Sequence, residues 1–557
     1  MGNSFKEFRQ LCLFIYRESR YIEKTRIIHD YIHTRFKGNI HILIKLLLPG
    51  IDSLKYNISD KQIVKLFSKI LCIDVNEINS YVTGIGDVAY VIGSFLKISD
   101  IKYLSESILT IDEVYEFLLR LSRLTKERDK IKEFSNLLPK CTPNDIRYII
   151  RLVKHDIRIN AGPKHILSAL HHDAYKFFKL SNDLEYVINK CLDNNIEPSI
   201  RLMTPIKPML ANICKTFSEA RQKCLGKMLI EFKYDGERIQ IHKDRNSFKY
   251  FSRSLKPVIP HKIEELEESL MQAFPNTKNI ILDAELILLD KDTKQPLPFG
   301  TLGINKKTMY DNACTCLFIF DCMYFNDSSI INIPLNERRE IISKNIIEIS
   351  NRILLSETKV INTDKELCNL LHKVLSKGIE GFVIKDASGI YEPGVRRWMK
   401  VKKDYLDNGS MADKADLVVL GAYYGKGYKS GILSSFLMGC YDDNNKKWCS
   451  VTKCSGGHSD KELIRIQKSI RIVEFDKEQI PDWLCINKKH YPDVIISDIR
   501  YAPVWEIIGS EFTKSNTHTA SNISIRFPRC TRIRDDKDYL TATTLKELEL
   551  LYDKSFS

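Results

Sequence analysis

Apolar residues recur at helical spacing through roughly the first two hundred positions, and the texture changes near Met203. Phe5, Phe8, Leu11 and Ile15 would line one helix face. Thr110 with Glu113 makes a capping box ahead of Val114, Phe117 and Leu118. Thr142, Pro143 and Asp145 give another start signal, with Ile146, Ile149, Ile150 and Val153 as the apolar face. Glycine falls at punctuation points, in Gly84-Ile85-Gly86-Asp87 and Ala161-Gly162-Pro163. After Pro205 and Pro208 come short alternating runs separated by turns, the pattern of strands. A second change follows Tyr405: Asn408-Gly409-Ser410 precedes Val418-Val419-Leu420, with Gly421, Gly425, Gly427 and Gly431 at turns or bulges. The pattern predicts a helical domain (1–202), a mixed α/β domain (203–405) and a small β domain (406–557).

Composition narrows the class. The chain has 557 residues, 43% hydrophobic and 28% charged, the balance of a folded multidomain protein. It holds no long apolar run of membrane-spanning length. The start MGNSFKEFRQ is charged where a signal peptide needs its apolar core, and Lys6 stands where a myristoylation signal wants Ser or Thr. A reducing aqueous compartment is expected. Lys and Arg number 85 against 71 Asp and Glu, a net charge of +14 that favours a polyanion such as a phosphate backbone. The 15 cysteines are scattered without a C-x2-C pair, so buried free thiols are expected. Cys449, Cys454 and His458 make only a weak zinc pattern.

The central chemical signal is Met228-Leu229-Ile230-Glu231-Phe232-Lys233-Tyr234-Asp235-Gly236-Glu237-Arg238. Alternation predicts Met228, Ile230, Phe232 and Tyr234 on a core face, with Glu231 and Lys233 together on the other. Asp235-Gly236 predicts a hairpin whose return strand alternates Arg238, Gln240 and His242 toward a pocket rim. Asp283 and Glu285 share a strand face with Ile281 and Ile287, and buried carboxylates call for a metal ion or a hydrogen-bond network. Phe320 suits stacking on a flat ring. Glu380 precedes and Lys385 ends a short apolar run, and Trp398, Lys400 and Lys402 share a face. Ile523, Ile525 and Phe527 alternate ahead of Arg529, Arg532, Arg534 and Lys537.

In that order these elements resemble the six-motif signature of covalent nucleotidyltransferases, and within them the ATP-dependent DNA ligases. Lys233-Tyr234-Asp235-Gly236-Glu237-Arg238 resembles the first motif and Ser252-Arg253-Ser254 the second. Asp283-Ala284-Glu285 and Phe320-Asp321 resemble the third and its companion. Glu380 to Lys385 resembles the fourth and Trp398 to Lys402 the fifth, while Arg526-Phe527-Pro528-Arg529 with Arg534-Asp535-Asp536-Lys537 resembles the sixth. Ser254 stands where Asn is usual and Cys530 where an aromatic is. Coverage and length resemble the poxvirus enzymes most.

The resemblance implies an all-α DNA-binding domain, a mixed α/β adenylation domain and an OB-fold β-barrel. It implies Lys233 as the residue that takes AMP from ATP, and Glu231 at the adenine edge. Phe320 would stack on the base, and Arg238 and Arg253 would meet ribose or phosphate. It places Glu285 and Glu380 on Mg2+ or Mn2+, Glu285 also near the ribose, and Lys400 and Lys402 near the α-phosphate, with Lys385 a further cofactor-binding cation whose charge helps Lys233 lose its proton. Arg534 and Lys537 would orient the leaving pyrophosphate. The implied partner is nicked duplex DNA encircled by a monomer at viral replication sites in host cytoplasm, with viral or host replication proteins nearby and no membrane. Two rivals remain open at this level: an RNA-directed enzyme, either a capping guanylyltransferase or an RNA ligase, and a nick-binding scaffold without catalysis.

Overall fold

The computed structural model describes residues 2–555 apart from 52–53, 194–198, 215, 225–226, 264–265, 295–296, 298–311, 362, 376–380, 403–412, 426–428 and 430. The N-terminal part is helical, as its periodicity predicts. Ser4 caps the helix Phe5–Arg17, whose Phe5, Phe8, Leu11 and Ile15 are buried. The predicted capping boxes start the helices Ile111–Arg123 and Pro143–Val153, the second with proline in its first turn. Gly86, in the left-handed region at φ 71°, ends Val75–Ile85. One apolar cluster from Phe5 to Cys191 joins these faces.

The change of texture at Met203 does not mark a loose linker. Leu180 leaves the helical core and packs with Ile206, Met209, Tyr391 and Trp398. The Lys207 N–H donates to the Lys179 carbonyl at 2.9 Å. Gln240 and His242, expected at the pocket rim, instead bind this connection. The Met203 N–H donates to His242 Nδ1 at 3.1 Å, and Gln240 exchanges two hydrogen bonds with the Ile206 backbone. Buried backbone groups in a connection need partners, and these two side chains supply them.

Among the described residues the central domain holds eleven strands in two sheets. In chain order they are β1 (Leu210–Ile213), β2 (Met228–Phe232), β3 (Glu237–Asp244), β4 (Ser247–Ser252), β5 (Asn279–Asp290) and β6 (Ala313–Phe325). There follow β7 (Ser328–Ser329), β8 (Ile353–Leu355), β9 (Thr358–Ile361), β10 (Gly381–Asp386) and β11 (Arg396–Lys402). One sheet runs β1-β11-β10-β2-β9; the other runs β4-β3-β5-β6-β7, with β8 also beside β6. Helices cover the outer face of each. Leu367, Leu370 and Leu371 pack on the five-stranded sheet, and Leu266, Leu270 and Ile342 on the six-stranded one. Ile281, Met323 and Trp398 pack where the two sheets meet.

This arrangement corrects the hairpin reading. β2 and β3 belong to different sheets, so the Asp235-Gly236 turn carries the chain across the gap between them. Tyr234 follows the crossing. It leaves the core face shared by Met228, Ile230 and Phe232 and stacks on Phe318 at 4.2 Å.

In the C-terminal domain the strands Lys447–Cys454, Leu433–Asp442, Asp413–Tyr424, Val504–Gly509 and Arg529–Ile533 are neighbours in that order. Among the described residues these five belong to an eight-stranded sheet, and a single bridge between Gly456, just past the first of them, and Arg529 of the last brings their two ends together, as in an OB-fold barrel. Phe527 does not extend the alternation of Ile523 and Ile525: at φ 52° it turns outward and is 60% exposed. Cys454 and His458 serve packing, with His458 against Trp505 at 4.6 Å, and they form no metal-ligating group with Cys449 among the described residues. No described helix is long and apolar enough to cross a membrane.

Candidate active site

The crossing from β2 to β3 delivers the functional side chains to one cleft of about 950 Å3. Glu231 comes from the last turn of pleat in β2. Lys233 lies just past it, its N–H donating to the Gly381 carbonyl at 2.9 Å, which fixes the backbone against β10. Gly236 then passes so close to β5 that a Cβ would stand 2.4 Å from the Leu286 carbonyl. Only glycine fits there. From β3, Arg238 pairs in register with Glu285 of β5.

Eight sequence-predicted residues line this cleft: Lys233, Glu231, Arg238, Arg253, Glu285, Phe320, Lys385 and Lys400. Glu380 and the side chain of Lys402 lie outside the described residues. Arg534 and Lys537 are elsewhere. Both grip Asp416 of the barrel, at 2.9 and 2.8 Å. In their place the C-terminal domain sends Arg526 and Phe527 into the cleft wall.

Burial dominates the electrostatics. It pushes the Lys233 amine below the ordinary lysine range; Glu285 and Asp235 oppose the shift, and Arg526 and Arg253 reinforce it. It also pushes the Glu285 carboxyl up to about 7, against the pull of Lys233 and Arg238. Both groups are driven toward their neutral forms, and a neutral amine is the nucleophilic form of lysine.

The two carboxylates of β5 part company. Asp283 is bound in a network: Arg238 donates Nε and Nη2 to it at 2.9 and 2.6 Å, and the Tyr391 hydroxyl donates at 2.8 Å. Arg238 also donates to the Met209 carbonyl at 2.7 Å. Glu285 instead faces the cleft. Glu231 accepts from Arg339 at 3.0 Å and is ion-paired with Lys385 at 2.6 Å, and the Lys385 ammonium lies 4.5 Å from the Phe320 ring centre. Sequence reasoning missed Tyr391, Arg339 and the pairing of Asp235 with Arg526. Tyr391 and Arg339 bore no local mark. The third was half visible, since both partners lay within recognised motifs.

Three family models match in chain order. They are the DNA ligase N terminus at 4–171, the ATP dependent DNA ligase domain at 208–402, and the ATP dependent DNA ligase C terminal region at 429–537. The DNA ligase of Fowlpox virus is 65% identical, covering 100% of this chain and 99% of that protein. The DNA ligase of Monkeypox virus is 46% identical, covering 98% of each. The solved structure named Pmar-Lig_Pre superposes with a TM-score of 0.60 at 18% identity over 95% of this chain and 99% of that one, a likeness of fold. The helical N-terminal match separates the chain from both RNA-directed rivals, which resemble only its middle and C-terminal parts. With its own lysine, carboxylate and aromatic in one cleft, the chain belongs to the ATP-dependent DNA ligases.

Proposed function

We propose that Lys233 is the nucleophile of a three-step nick-sealing reaction. Its neutral amine attacks the α-phosphorus of ATP; the P–N bond forms as the bond to pyrophosphate breaks, and the nitrogen sheds one proton to leave a phosphoramidate N–H. A 5′-phosphate oxygen at the nick then attacks the same phosphorus, and AMP leaves Lys233 as the amine takes up a proton. Last, the 3′-hydroxyl attacks the 5′-phosphorus, releasing AMP and closing the strand.

The other side chains bind and orient. Glu231 would read the adenine edge and Phe320 would stack on its face. Arg238 has one guanidinium edge committed to Asp283, which supports a fixed donor for ribose more than a mobile phosphate clamp. Lys400 lines the cleft, where its charge would offset that of the pentacovalent α-phosphate. Glu285 is a half-buried carboxyl, pushed up to about 7, that a cation would favour in its ionised form, so the donor chemistry fits a divalent metal. Glu285 and Glu380 would hold Mg2+ or Mn2+ with the ATP phosphates and water as remaining ligands, supplying charge neutralisation at the transferring phosphoryl group.

The convergence of half-buried Lys233 and Glu285 with Phe320 and Lys400 in one cleft carries this reading. Mapping the labelled peptide after reaction with α-labelled ATP tests it. Label on Lys233, and none in Lys233→Arg, is the expected result, because arginine keeps the charge and offers no neutral amine. Label on another lysine would overturn it. A net charge of +14, helical and barrel domains flanking the cleft, and poxvirus relatives support a monomer closed around nicked DNA in an infected host cell.

A further inference from the structure

The helix Leu335–Asn345 sends two consecutive arginines to two different places. Arg338 is buried and forks onto Asp321 at 2.7 and 2.9 Å. Arg339, one position on, reaches the cleft from behind. Its Nη1 donates to Glu231 Oε1 at 3.0 Å and to the Phe320 carbonyl at 3.3 Å, and its Nη2 donates to the Ser356 carbonyl at 2.6 Å. One planar group thus ties together three walls of the cleft: an acid on β2, an aromatic on β6 and the segment between β8 and β9.

Glu231 is 3% exposed, and its other oxygen meets Lys385 at 2.6 Å. An ionised carboxylate has about four lone-pair sites. Arg339 donates to one oxygen and Lys385 forms an ion pair with the other, which leaves lone pairs for a ligand and no donor on the carboxylate. Toward the cleft this carboxylate can accept and cannot donate.

We infer that Arg339 is a specificity-determining positioning residue, which sets the Glu231 carboxylate and the Phe320 ring at the mutual angle that selects a purine with an amino group at position 6. The inference rests on the proposed role of Glu231 at the purine edge. A 6-amino group donates to the fixed acceptor. A 6-oxo group would set lone pair against lone pair in a dry site, the arrangement that hydrogen-bonding pockets reject most strongly. Without Arg339, Glu231 keeps, among the described residues, only its ion pair with the ammonium of Lys385, a point charge that does not fix the carboxylate plane.

The test is AMP or purine-nucleotide loading onto the full-length protein, with ATP and with purine riboside triphosphate, which lacks only the 6-amino group. The wild type should prefer ATP by at least about tenfold in kcat/KM, the worth of one hydrogen bond to a charged acceptor. Arg339→Gln should cut that preference severalfold, with KM for ATP rising more than kcat falls. Arg339→Lys should recover part of it, supplying one charge without the fork. A purely structural role would slow both nucleotides alike and leave their ratio unchanged. An unchanged ratio in a variant that melts like the wild type overturns the inference about Arg339. If Arg339→Gln does not fold, Arg339→Lys decides in the same way, a reduced ratio supporting the inference and an unchanged one overturning it. No preference in the wild type itself would overturn the reading of Glu231, and this inference with it.

Discussion

Asp235, two residues after Lys233, receives both terminal nitrogens of Arg526, at 2.8 and 3.1 Å. Arg526 also donates to Glu511 at 2.7 Å, so the barrel is tied to the turn that follows Lys233 through one guanidinium. The pair is partly solvated, at 16 and 30% side-chain exposure, which limits its strength. A double-mutant cycle of Asp235→Asn and Arg526→Ala on nick sealing should show a coupling of about 0.5–1.5 kcal/mol. Losses that simply add would mean the contact has no energetic weight.

Arg534 and Lys537 stand apart from the cleft on Asp416. If the barrel visits the nucleotide in another orientation, these cations serve only AMP loading. Arg534→Ala and Lys537→Ala should each slow loading at least about tenfold more than closure of a nick already carrying 5′-AMP, the cost of a lost charge-assisted contact in one step alone. Single-turnover assays on both substrates decide it, and equal losses would reject a two-position barrel.

Glu285 gives a pH signature in the protein without metal. Its carboxyl is raised from 4.5 to about 7 by burial, so the folded chain binds that proton more tightly than the unfolded chain. The stabilising contribution is present below pH 4.5 and is lost as pH rises through about 7. Glu285→Gln should therefore melt a few degrees higher than the wild type at pH 8, with the gap narrowing toward pH 4.5. A Glu285→Gln protein less stable than wild type at pH 8 would show the ionised carboxylate to be well paired instead.

Lys164 lies exposed at the start of the helix Pro163–Leu170. That terminus suits a backbone phosphate. Lys164→Ala should weaken nick binding across sequences and lower the slope of log affinity against log salt by about 1. An unchanged slope in a filter-binding titration would remove this terminus from the DNA contact.

Local signals were legible and long-range ones were not. Thr110 with Glu113, and Thr142 with Asp145, announce helices because cap and partner lie within one turn. The acid pair of β5 and the lysine past β2 were visible as alternation. The turn Asp235-Gly236 was read as a hairpin because a turn dipeptide fixes the bend and says nothing of which sheet receives the next strand. Arg339 and Glu231 lie 108 residues apart, and Arg526 and Asp235 lie 291 apart. No periodicity connects such pairs; only tertiary packing brings them within reach.

The sheet that carries Lys233 has a consequence for how the chain comes off the ribosome. β2 is hydrogen-bonded on one side to β9 and on the other to β10, both more than a hundred residues downstream, whereas β3 to β6 pair among near neighbours. At about 5–20 residues per second, β2 waits on the order of 6–25 s for its first partner. For that interval Met228, Ile230 and Phe232 lie on an open sticky edge. The six-stranded sheet, completed first, is the platform on which they can rest, and Lys233 acquires its address only when translation has nearly finished the domain.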